Sequence, residues 1–135
     1  MKRISSLLAV AAVVACSDSF KPSIENVAGS YTLQTLMSTD TAGTVDWMSA
    51  GATLTLSLSS NGTVAGHLFM PGAGESGADL EADMAGSWAL VGGRVVMEQT
   101  ADTFVRDMTW KPLLGGLLAA EKSFNGTLLR VQVQK

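Results

Sequence analysis

Ala52-Thr53-Leu54-Thr55-Leu56-Ser57-Leu58-Ser59, then Ser60-Asn61-Gly62, then Thr63-Val64-Ala65-Gly66-His67-Leu68-Phe69-Met70: this stretch decides the fold. In its first run leucine takes every second position while Thr53, Thr55, Ser57 and Ser59 take the others. That is the period of a β-strand with one apolar and one wet face. Asn61-Gly62 supplies the positive φ angles of a tight hairpin. The returning run places Val64, Leu68 and Met70 on one face, with His67 and Phe69 on the other. The pair is therefore an antiparallel hairpin with a single buried side.

The same grammar extends in both directions. Pro71-Gly72-Ala73-Gly74 ends the hairpin. From Leu80 to Leu90 the residues Leu80, Ala82, Met84, Gly86, Trp88 and Leu90 alternate with Glu81, Asp83 and Ser87. Gly92-Gly93 turns the chain into Arg94 to Gln99, where Val95 and Met97 share a face. Thr103 to Trp110 reads as a further strand, with Phe104, Met108 and Trp110 in phase with Arg106 and with Pro112 closing it. In Leu117 to Phe124 the Ala-Ala-Glu-Lys segment suits a helix as well as a strand, and the spacing leaves both open. Asn125-Gly126 is a strong hairpin turn into Thr127 to Gln134, which argues for a partner strand before it. Gly29 to Leu36, with Tyr31 and Leu33 in phase, completes eight strands. Consecutive strands on short turns form an antiparallel meander, and closing on itself is the simplest way for it to avoid exposed edges. The expectation is an all-β, up-and-down barrel of about eight strands, with a two-sheet sandwich as the alternative.

Ahead of the barrel, Lys2 and Arg3 precede an apolar run from Ile4 to Val14 that ends in Val13-Val14-Ala15-Cys16. This is the layout of a bacterial export signal ending in a lipobox, the cysteine being the acylation site. The run falls short of the roughly 20 residues a spanning helix needs. Ordinary cleavage before Cys16 also fits the small residues, but it would leave the chain's one cysteine unpaired in an oxidising compartment. The expected organisation is residues 1–15 as signal peptide, 16–28 as acylated cysteine and tether, and 29–135 as the barrel. Ser17 after the cysteine resembles the lipoproteins of diderm bacteria, and that resemblance implies release to the outer membrane. Phe20 and Ile24 interrupt an otherwise polar tether, and the sequence leaves open whether they pack against the domain. Loss of the two charges of Lys2 and Arg3 takes the formal net charge from −3 to −5. With basic residues scattered singly along the chain, this balance argues against nucleic acid and against an anionic membrane surface as partners.

Gly29-Ser30-Tyr31 at the start of the first strand, and Arg130 in the last, are similar to the Gly-x-Trp motif and the arginine above its ring in the lipocalins. Here Tyr31 stands for the tryptophan, and Gly86-Ser87-Trp88 carries a second match in mid-chain. The resemblance implies a calycin-type barrel in which Gly29, Tyr31 and Arg130 close one end through a cation–π contact. That role is structural.

No reaction is legible. His67, the only histidine, faces away from the apolar side of its strand and has no visible nucleophile. No Gly-x-Ser-x-Gly elbow occurs. One histidine and a committed Cys16 exclude His/Cys metal centres by number. Glu75, Asp79, Glu81 and Asp83 have the spacing of a strand face, not of a calcium loop. The chain therefore reads as a non-enzyme without metal or cofactor. An eight-stranded barrel is either just filled or holds one small ligand. Trp88, Phe104, Met108 and Trp110 are the candidate wall, and Arg106, in phase with them, is a candidate anchor for an anionic apolar ligand; Asp102 or Asp107 would serve it instead if the strand bulges. Gly66 and Gly86 on inward faces would leave room. Two classes follow. One is a lipid-anchored carrier of a small apolar molecule. The other is a solid-barrel interaction protein, similar in outline to exported barrel inhibitors of metalloproteases but without their disulfide.

Overall fold

The computed structural model describes residues 20–135; the expected signal peptide and Cys16 lie outside them. Nine strands form one antiparallel sheet: β1 (Gly29–Asp40), β2 (Gly43–Asp46), β3 (Thr53–Leu58), β4 (Thr63–Met70), β5 (Leu80–Val91), β6 (Arg94–Gln99), β7 (Lys111–Leu113), β8 (Leu117–Phe124) and β9 (Thr127–Gln134). Their order is β6-β5-β4-β3-β1-β9-β8-β7, with β2 folded back on the distal half of β1. The first and last long strands are neighbours, so the meander returns to its start. One bridge between Val95 and Trp110, with N–H···O distances of 2.8 and 2.9 Å, joins the remaining edges. The result is a nearly closed barrel of eight staves.

Sequence alternation translates directly into burial. Leu54, Leu56 and Leu58 of β3 pair with Leu68, Gly66 and Val64 of β4 and all face inward, while Thr53, Thr55 and Ser57 face solvent. In β1 a bulge between Leu33 and Thr35 resets the phase, so Tyr31, Leu33 and Leu36 all reach the core. An extra residue in one strand of a ladder does this without breaking the sheet. The segment 117–124 is a strand, paired through its full length with β9. Every strand, and the whole buried core from Val27 to Val133, falls within residues 27–134.

Two expectations are revised, and one strand is added. Thr103 to Trp110 is not a strand. Phe104–Asp107 forms one α-helical turn, α2, closed by Met108 N–H on Phe104 O at 3.1 Å, and only Trp110 reaches the ladder. Phe104 and Met108, four apart, satisfy helical spacing as well as an even-numbered strand face, and Arg106 pairs with Asp102, four residues back and just ahead of the turn. Pro112 does not end a strand but sits buried within β7. β2 was not foreseen because all four of its residues are exposed, leaving no apolar period to read.

Gly66 and Gly86 leave no room in the interior. A side chain at Gly66 would run into Thr55 O and the ends of Leu56 and Met84, and one at Gly86 into Glu98 O. These glycines allow close strand approach where the sheet curls.

Candidate functional site

The proposed interior wall is partly assembled. Trp88, Met108 and Trp110 are buried in one core cluster with Met84, Met97 and Leu36. Both indole N–H groups donate to the protein's own backbone, Trp88 to Ser59 O at 2.7 Å and Trp110 to Val105 O at 3.2 Å. Buried indoles so satisfied need no ligand partner. Phe104 is half-buried at the edge of this cluster. Arg106 is not with them: the helical turn rotates it outward, where its side chain is 32% exposed and binds Asp102 and Asp107, the latter at 3.0 Å. The bond to Asp107, with the charges of both aspartates, raises its pKa further. Among the described residues Gln99 Oε1 is the one buried side-chain oxygen or nitrogen lacking a partner; its amide nitrogen lies 3.4 Å from Met97 Sδ.

The end from which the chain enters is closed by a different cation than the resemblance implies. Arg130 lies on the outer face, 3.1 Å from Glu121, away from Tyr31. Lys135 takes its place. Its Nζ is 5.9 Å from the Tyr31 ring centre and donates to Asn26 O and Ala28 O at 2.7 and 3.1 Å. Tyr31 is buried, donates its hydroxyl to Val27 O, and has its phenol pKa pushed up to about 12 by burial. Val27 belongs to α1 (Ile24–Val27), a single turn held by a reciprocal cap between Ser23 and Asn26. Gly29 stands at φ +152°, and a Cβ there would strike the Lys135 side chain. The sequence signal for Lys135 was faint, one residue past the last strand.

On the outer face, a groove of about 490 Å³ crosses the seam. Register aligns Arg94 of β6, Lys111 of β7, Ala119 of β8, Gln132 of β9 and Thr35 of β1 in one outward row. Ala119 makes the floor low, and Arg130 and Glu121 stand on the next row. A second cavity of about 210 Å³ adjoins it, where Phe20 and Pro22 meet Gly92, Gly93, Arg94, Lys111 and Pro112. Among the described residues no carboxylate forms an ion pair with Arg94 or Lys111. Residues scattered singly along the chain are thus clustered by strand register, which no local reading could find.

His67 is on the outer face of β4, its Nδ1 2.7 Å from Asp83 and its Nε2 3.0 Å from Glu81. The hydrogen bond that His67 donates to Asp83 raises the imidazole pKa; desolvation opposes it, and the charges of Asp83 and Glu81 add to the rise. With both ring nitrogens engaged, neither is left to activate a hydroxyl or bind a metal beside these carboxylates. Among the described residues no His, Cys, Asp and Glu group is arranged to hold a metal ion.

Comparison with protein-family models, with curated proteins and with solved structures returns no match for this chain.

Proposed function

We propose that this is a lipid-anchored protein of the bacterial cell envelope, carrying a lipocalin-like barrel that works through its outer surface and not by enclosing a ligand. The observation that carries this reading is the interior itself. The inward faces of β1, β3–β6, β8 and β9 converge on one cluster of the chain's own side chains, with both core indoles satisfied by backbone carbonyls, while the seam groove lies outside. The lipobox ending at Cys16 supports the anchor, and Ser17 supports an outer-membrane address. The reading assigns no reaction.

A carrier of a small apolar molecule is the second reading, favoured by the unpartnered Gln99 Oε1 and by the adaptable methionines Met84, Met97 and Met108 around the core. Native mass spectrometry of the full chain expressed into a bacterial envelope separates the two. A polypeptide mass with acyl groups on Cys16 and nothing else supports the solid barrel. A reproducible extra mass that extracts into organic solvent overturns it in favour of the carrier, and a Cys16 peptide without acyl groups removes the anchor.

A further inference from the structure

In an up-and-down barrel alternate connections share an end. One end gathers α1, the turns 59–62, 91–94 and 114–116, and Lys135, whose N–H bonds Gly116 O at 2.8 Å. Val91 is 60% exposed, Leu114 59% and Ile24 41%, and all three stand here, the two most exposed large apolar side chains among them; Val45 and Met48, exposed to a lesser degree than those two, stand at the other end. One exposed aliphatic side chain needs no partner, but apolar groups gathered on one surface mark a contact site. The cations Arg94 and Lys111 flank the same tips, and Lys21 lies between Phe20 and Pro22, which line one cavity with Gly92 and Gly93. The other end carries Asp40, Asp46, Glu75, Asp79, Asp102 and Asp107, with Arg106 bound to the last two. Glu25 of α1 and Lys122, whose Nζ donates to Asp107 O, are the exceptions to a barrel otherwise charged along its axis.

We propose that the tether end is a membrane-contact face, on which Val91 and Leu114 enter the interfacial layer while Arg94 and Lys111 meet the phosphates of anionic lipid headgroups. The continuity of the chain chooses the occupant. Four residues carry the chain from Cys16 to Phe20, at most about 14 Å when extended, and Phe20 is already seated beside Arg94 and Lys111. A barrel tethered by Cys16 therefore holds this end closer to the bilayer than the acidic end. Tips that are apolar between cations match the depth profile of an interface, apolar below and phosphate-bearing above. An acidic protein held at an anionic surface is repelled in every orientation that turns its acidic end downward. Net charge argues against an anionic surface for the barrel as a whole; on this proposal the charge that matters is local. The inference rests on the anchored reading for its tether, not for its chemistry.

The test is hydrogen exchange of the full chain, as a diderm bacterium makes it, reconstituted into phosphatidylglycerol vesicles and into phosphatidylcholine vesicles. The mass of the Cys16 peptide reports acylation separately. If it carries no acyl group, the anchored reading falls, and the free thiol is coupled to a maleimide lipid so that docking is still read. In phosphatidylglycerol the amides of 91–93 and 114–116 should slow, with those of 41–42 and 125–126 unchanged. Each cation near an anionic surface favours contact roughly fivefold, so Arg94→Glu with Lys111→Glu should restore free exchange at both tips, as should high salt in part. Val91→Asp with Leu114→Asp should do the same with the cations intact. Equal exchange in the two lipids, or protection at 41–42 and 125–126 instead, overturns the proposal.

Discussion

The two ends of this barrel use charge in opposite ways. At the end carrying the acidic loops, side chains are occupied with their own backbone. Asp40 accepts from Ala42 N–H at 2.8 Å, Asp46 from Met48 N–H at 3.1 Å and from the Ser49 hydroxyl at 2.8 Å, and Asp79 from Gly72 N–H at 3.0 Å. Asp102 and Asp107 hold Arg106. These contacts order loops, as short acidic side chains do in turns. At the tether end the ordering falls to Tyr31, Lys135 and the α1 cap, and Arg94 and Lys111 take no part in it. The difference separates charge that builds the fold from charge left over for a partner. The acidic end is richer in charged groups and poorer in free ones.

The largest effect that would break this comparison lies at the seam, which makes the two ends parts of one closed surface. Trp110 is fully buried and closes the ladder to Val95. Trp110→Ala should cost about 3–5 kcal/mol, read as a fall in the urea midpoint; an unchanged midpoint would mean the barrel is open there. Next comes the tether end itself. Gly29→Ala meets both a positive φ and the Lys135 chain, and should cost about 1–3 kcal/mol, with faster exchange at the Val27 and Ala28 amides. A smaller effect sharpens the contrast at the opposite flank. The single His67 resonance should titrate above the ordinary 6.5, and Asp83→Asn should move it back. Because folding raises this pKa, its contribution to stability is complete below about 6.5 and is lost as pH rises through the folded value, so the urea midpoint should decline over that window. Smallest of all, Arg94→Gln and Lys111→Gln should leave stability within about 0.5 kcal/mol, measured on the same denaturation curves. A larger loss would place these cations among the groups that hold the fold together.

Much of the fold was legible because strands with one wet face write their period into the chain. Leu54, Leu56 and Leu58, and Val131 and Val133, could be assigned to the interior from alternation alone. Alternation misled where it coincided with helical spacing. Phe104, Met108 and Trp110 do reach the core edge or core, yet Arg106 between them points outward, because one helical turn rotates each residue by about 100° where a strand would rotate it by about 180°. The candidate site was harder to read. Gly29 and Tyr31 are legible by motif, whereas the resemblance points to Arg130 and the structure puts Lys135 over the ring, because pairing registers, not positions in sequence, decide which cation lies there.

The sequence by itself determined an all-β meander with its turns at Asn61-Gly62, Gly92-Gly93 and Asn125-Gly126, since period and positive φ are local properties of the chain. Only the tertiary structure decided that Gly66 and Gly86 are close contacts and not open space, that Lys135 closes one end, and that Arg94 and Lys111 come together across the seam. Those outcomes depend on which strands become neighbours and in what register, and that is set by how one core packs all of them at once.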